Sequence, residues 1–334
     1  MKTEFDLSAI SKYRRQIFGL TILEIIIFHY FETVLFHGSE VHRYLYLSAK
    51  LFLTLLGSIG VDVFLFLSGM GIFQSLKKDG NVLRFYRKRL LRVVLPYGIV
   101  GLAFWIVKDF VMNQATIGTF LLDYSLLSFW LSGVRTLWYI AFIVVMYAVS
   151  PLLYRWIRKL GRKAWILILG AIALDVLVRY GFPSFFSGCE IAIQRVPIFL
   201  LGLICSERIM AGDRIRVADL LVIFLFQPIY ALCDFASLSF SRLGDGLYAL
   251  VLLLALAFAV SKIQRPGVQN ALGKVGDLSL ELFLTHVALR NIMNSAHINL
   301  PNPFWYLLMI LISFVLSALL HRLTDGISKR WLQN

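Results

Sequence analysis

"IFGLTILEIIIFHYFETVLF" (Ile17–Phe36) decides the fold class. Twenty residues this apolar form a helix long enough to cross a hydrocarbon core of about 30 Å. No small-residue cleavage site follows, so the run reads as a span and not as a signal peptide. The rest of the chain repeats the pattern. Of its 334 residues, 59% are hydrophobic and 16% charged, more apolar surface than a soluble domain of this length can hide. Ten runs stand out: Ile17–Phe36, Ala49–Ser75, Val93–Met112, Thr136–Tyr154, Ala164–Gly181, Ile191–Glu207, Val217–Phe235, Gly244–Ser261, Val275–Met293 and Pro303–His321. Phe120–Leu131 is shorter, is interrupted by Asp123 and Ser125, and reads as a re-entrant or interfacial segment.

Charge supports the count. With the N-terminus in the cytosol, 25 of the 33 basic residues fall on the inner side of a ten-span chain. This asymmetry accounts for the net charge of +14 without a nucleic-acid partner. Cys189, Cys205 and Cys233 match the spacing of neither a metal site nor a disulfide framework, and no metal is expected.

Ionisable groups at membrane depth are costly and need a reason. His29 lies about 12 residues into the first run, near the midplane. A neutral imidazole is cheaper to bury than a carboxylate and takes up a proton near neutral pH, which suits a general base. A histidine hydrogen-bonded to a neighbouring helix explains it equally well. Glu32, three residues on, shares a helical face with His29 and is placed to orient the ring. Arg14 and Arg15 open the same helix, and Arg15 shares the His29 face. "FYRKRLLRVVLPY" (Phe85–Tyr97) sets Arg89 and Arg92 three apart, two guanidinium forks suited to phosphate, with Pro96 placed to kink the helix. Asp62 sits near the outer end of the second run, Trp138 among belt aromatics, and Arg195 inside the sixth, where it needs a carboxylate. Arg290 falls on the sparsely charged outer side. Glu281 and His286 fall well inside the ninth run.

Together these segments resemble the integral-membrane acyltransferase 3 family. Arg15, Gly19 and His29 look like its first-helix motif, and "GVDVFLFLSG" (Gly60–Gly69) like its second. "FYRKRLLRVVLPY" is similar to its Arg-x-x-Arg-x-x-x-Pro stretch. "LWYIAFIVVMYAVSPLL", "RVPIFLLG" and "LSLELFLTH" follow in the family's order. One departure stands out: Phe18 occupies the position the pattern gives to arginine, and Arg15 lies one turn nearer the cytosol.

The apolar runs and the charge asymmetry predict an all-α polytopic protein with about ten transmembrane helices and both termini cytoplasmic. With no linker, low-complexity stretch or clear internal repeat, the sequence reads as one membrane domain over residues 1–334 with no appended soluble domain, expected in a bacterial plasma or inner membrane. The reaction implied by the resemblance moves an acyl group, usually acetyl, from cytosolic acetyl-CoA or another acyl-CoA to a carbohydrate hydroxyl of a cell-surface or lipid-linked glycan. His29 is the expected base, with Glu32 and His286 as catalytic partners. Arg14, Arg15, Arg89 and Arg92 are expected to hold the donor phosphates, and Asp62, Trp138 and Arg195 the acceptor. The partners are acyl-CoA, a carbohydrate and the bilayer; assembly into a homo-oligomer stays open. The rival reading is a secondary transporter or flippase without acyl transfer, which scattered buried charge also fits.

Overall fold

The computed structural model describes residues 4–37, 42–55, 59–216 and 241–333. Strand β1 (Glu4–Asp6) and helix α1 (Ser8–Lys12) lead into α2 (Arg14–Phe36), α3 (Arg43–Leu55) and α4 (Ile59–Lys78). Next come α5 (Val82–Arg89), α6 (Leu95–Trp105), the short α7 (Ile117–Tyr124) and α8 (Leu127–Ser132), and α9 (Trp138–Leu160). Helices α10 (Trp165–Gly181), α11 (Pro183–Ile193) and α12 (Val196–Ala211) precede strand β2 (Arg214–Arg216). The chain closes with α13 (Ser241–Lys262), α14 (Pro266–Asp277), α15 (Ser279–Ser295) and α16 (Pro303–Gln333).

Among the described residues, seven helical segments are long and apolar enough to cross a membrane. Seven of the ten expected runs fall on them, and an eighth, Ala49–Ser75, is divided between α3 and α4. Val217–Phe235 lies outside the described residues, as does Cys233, and Val275–Met293 is divided between α14 and the 17-residue α15. One segment, Trp138–Gly181, has 44 residues and holds two expected runs. As a straight helix it would be about 66 Å long, twice the hydrocarbon thickness. It is broken at Gly161, whose φ of +54° starts a 3₁₀ turn. The Phe120–Leu131 segment forms two short helices, α7 and α8, parted by Leu126 at φ +65°.

Helix α4 is the hub. It is apolar all round, as a helix enclosed by protein should be, and it packs against α2, α9, α12 and α13. Its closest partner is α12. A Cβ at Gly69 would meet the Phe199 carbonyl, and one at Gly202 the Phe66 carbonyl, so the two backbones touch where side chains are absent. Helices α2 and α14 meet in the same way through Gly19 and Gly276. On the outside of the bundle, α16 exposes Leu307, Leu311, Val315, Leu319 and Leu323, one stripe at four-residue spacing that suits lipid.

Two features lie beyond the all-α expectation or sharpen it. β1 pairs antiparallel with β2, setting Phe5 opposite Ile215. The expected bend at Pro96 takes the form of a π-helical stretch, Leu90–Val94. Proline has no N–H for the Arg92 carbonyl, so the turn before it widens.

Candidate active site

Helices α2 and α15 run parallel in a constant register: His29 meets His286, and Thr33 meets Arg290. His29 Nδ1 lies 2.8 Å from His286 Nε2. The proton on this bond can be placed. His286 Nδ1 is 2.7 Å from the Leu282 carbonyl, which only accepts, so Nδ1 carries the hydrogen. In the neutral pair His286 Nε2 is then the acceptor and His29 Nδ1 the donor. The remaining nitrogen of His29, Nε2, holds a lone pair, as a base requires. His286 is fully buried, and His29 is partly accessible. Neighbouring helices fix the pair: Tyr306 donates to the Ile26 carbonyl at 2.7 Å, and Thr285 bonds Ser317 across α15 and α16 at 2.9 Å.

A cavity of about 270 Å³ opens at the arginine-rich end of the bundle. Arg14, Arg15, Arg89 and Arg92 line its mouth, and Ile25, Phe64, Tyr139 and Phe283 its depth. Along α2 it extends from Arg15 to Ile25, about 15 Å at 1.5 Å per residue. It stops one turn short of His29. The four cations differ in their engagements. Arg15 pairs with Asp277, and Arg92 with the buried carboxylate of Glu281 at 3.1 Å and the Asp277 carbonyl at 2.8 Å. Arg14 lies over the Phe18 ring, and Arg89 against Phe85 and Tyr147. These two sit close enough to feel each other's charge, and the Nε of each is buried without a hydrogen-bond partner among the described residues. Phe18 thus carries a guanidinium from four residues earlier in the chain.

A second cavity, of about 590 Å³, lies beyond the histidines at the opposite end. Thr33 and Arg290, one turn past His29 and His286, form its floor. Arg290 is held there: Nη2 donates to Glu32 at 2.7 Å, and Nε to Thr33 Oγ1 at 3.1 Å. The histidine pair therefore stands between two cavities.

The geometry corrects two expectations. Glu32 does not orient His29, because its carboxylate is taken by Arg290 while His286 holds the His29 ring. Asp62, Trp138 and Arg195 do come together, but as packing. Arg195 Nε is 3.1 Å from Asp62 Oδ1, both side chains are fully buried, and the guanidinium lies 5.2 Å from the Trp138 ring centroid. None of the three lines either cavity.

Several participants go beyond the sequence expectation. Asp277 anchors Arg15, and His321 Nδ1 lies 2.9 Å from Glu281, extending the Arg92 network to α16. Arg290 is more than an outer-side charge. Its place one turn from His286 on a polar helix face is the signal that marks it in the sequence.

A family model described as an acyltransferase domain matches residues 19–322. The chain is 24% identical over 269 residues to acyltransferase MdmB of Streptomyces mycarofaciens, covering 72% of this chain and 70% of that protein. No solved structure matches.

Proposed function

We propose, for a chain that belongs to the acyltransferase 3 family, that it moves an acetyl group from cytosolic acetyl-CoA to a carbohydrate hydroxyl on the far side of a bacterial plasma membrane. Acyl transfer itself follows from the family, which sets aside the rival of a transporter without acyl chemistry. The observation that carries the finer reading is the His29–His286 pair standing between an arginine-lined cavity and a polar one. The charge asymmetry of the loops supports ten crossings with both termini in the cytosol, which makes the arginine-rich end the inner one.

The donor enters from that end. Its phosphates meet Arg14 and Arg89, the two cations of the four that have no carboxylate partner among the described residues, with Arg15 and Arg92 beside them. The pantetheine arm runs along the cavity, and the thioester reaches the histidines. His29 Nε2 takes the proton of the acceptor hydroxyl as its oxygen attacks the thioester carbon. The tetrahedral intermediate collapses, the C–S bond breaks, and the imidazolium returns the proton to the leaving thiolate. The products are the ester and free CoA. His286 keeps the His29 lone pair on Nε2 and stabilises the imidazolium through the shared hydrogen bond.

The test uses purified protein and radiolabelled acetyl-CoA. General-base catalysis typically contributes about 10²–10⁴-fold, so His29→Ala should lower turnover by that factor with donor affinity retained. Turnover at the wild-type rate would remove His29 from this role.

A further inference from the structure

Glu281 is a fully buried carboxylate next to Ser279 and Leu280, both of which line the inner cavity. One of its oxygens, Oε1, serves two partners. Arg92 Nη1 donates to it at 3.1 Å from the π-helical stretch, and His321 Nδ1 lies 2.9 Å away on α16. Oε2 is buried with no hydrogen-bond partner among the described residues. A buried carboxylate that loses its cation is strongly destabilising, so Glu281 needs a positive charge beside it. Arg92 supplies that charge, but it also lines the cavity, and its side chain is 44% exposed. Its Nη2 already bonds the Asp277 carbonyl on the cavity wall at 2.8 Å. Arg15 is not a substitute for Arg92 at Glu281, because the Asp277 carboxylate holds it. His321 is one. Its Nδ1 faces an oxygen that accepts from Arg92, so Nδ1 carries the hydrogen and Nε2 the lone pair. A proton added at Nε2 makes the ring a cation and leaves the bond to Glu281 in place. The side chain is 31% exposed, which gives water access to it. The other charged groups near the ring lie on its own helix: Arg322, and Asp325, which Lys329 engages at 2.7 Å. Helix α6, which packs against α16, brings no charged residue.

We infer that His321 is a positioning residue for the donor: by taking up a proton it replaces Arg92 as the counterion of Glu281 and frees that guanidinium for a donor phosphate. The inference rests on the donor reading above and adds to it a proton that binds together with the donor. The exchange balances. One N–H bond forms at His321 Nε2 with a proton from solvent, and the Arg92–Glu281 pair gives way to Arg92–phosphate and His321–Glu281 pairs. Linkage fixes the sign. If the bound donor favours the protonated ring, the protonated ring favours donor binding by the same factor. Acetyl-CoA should therefore bind more tightly below the range in which a histidine titrates, and more weakly above it.

Titration calorimetry with acetyl-CoA on the full-length protein in detergent tests this. The wild type, His321→Gln and Arg92→Gln are compared between about pH 6 and about pH 8, the range that brackets a histidine. Glutamine still donates to Glu281 but takes up no proton. The 3′-phosphate of acetyl-CoA titrates in the same range in all the proteins alike, so His321→Gln serves as the reference for it. Relative to that variant, the wild type should gain affinity by about threefold or more from the high to the low end of the range. In buffers of different ionisation heat near neutral pH, the wild type should also take up more protons on binding than the variant does. Arg92→Gln should show no such gain, since no guanidinium then leaves Glu281. A smaller gain in the wild type would overturn the inference while leaving the donor reading standing. A gain that persists in Arg92→Gln would overturn it as well, because His321 would then act only as a nearby charge. The Arg92→Gln comparison also keeps the test decisive if His321→Gln does not fold. Absence of acetyl-CoA binding to the wild type at every pH would remove the donor reading, and the inference with it.

Discussion

A single carbonyl, that of Leu282, sets the polarity of the histidine pair. By accepting from His286 Nδ1 it turns Nε2 of that ring into an acceptor, and this in turn fixes the hydrogen on His29 Nδ1. His286→Phe should therefore lower kcat at least tenfold with the KM for acetyl-CoA unchanged, since the inner cavity does not include this residue. Steady-state kinetics on the purified variant would check both constants. The pair formed by Asp62 and Arg195 makes the opposite expectation. Removing one member of a buried ion pair leaves an uncompensated charge, at a cost of about 3–5 kcal/mol. Asp62→Ala should show this as a lowered midpoint of thermal unfolding in detergent, with the KM for the acceptor unchanged in whatever protein stays folded. A role in acceptor binding would raise KM instead. At this scale the sequence is informative about which residues need partners and silent about which partners they have. Arg195 inside an apolar run demands a carboxylate, and it has one. His29 and His286 are 257 positions apart, and only the parallel register of two helices joins them. Glu32 is adjacent to His29 on its own helix, so proximity along the chain suggests a contact that Arg290 takes.

At the scale of elements, glycine decides how near the helices come. Gly69 and Gly202 let α4 and α12 touch backbone to backbone, and a larger side chain at either would drive them apart. Overpacking of this kind typically costs about 1–3 kcal/mol. Gly202→Leu should lower thermal stability by that amount, measured by unfolding in detergent. The apolar runs are legible as helices because lipid requires every backbone group to be satisfied within the segment. Breaks inside the runs are less legible: nothing in Val275–Met293 announces the division at Leu278 between α14 and α15. The break at Gly161, by contrast, falls between two expected runs, where the sequence puts it. The widened turn at Leu90–Val94 follows from Pro96, although its π form depends on how the neighbouring turns accommodate the missing hydrogen bond.

At the scale of the whole molecule, the charge pattern and the cavities agree. The four arginines that line the first cavity sit where helix α2 begins, where α5 ends and in the π-helical stretch after it, in the parts of the chain where basic residues cluster, whereas the second cavity has Arg290 as the one arginine or lysine among its described lining residues. Reporter domains fused to the two ends of the chain should consequently become accessible to protease from the same face of sealed inverted vesicles. Accessibility from opposite faces would change the number of crossings from even to odd.

The small sheet formed by β1 and β2 bears on how the protein is made. The two strands are 210 residues apart, with Phe5 paired to Ile215. At a synthesis rate of about 5–20 residues per second, β1 waits roughly 10–40 s before its partner leaves the ribosome. By then the helices from α2 to α12 have been handed to the membrane. The strand pairing thus fastens the amino-terminal segment only after more than half of the bundle is in place, so it works as a late latch on an assembled structure and not as a seed for its assembly.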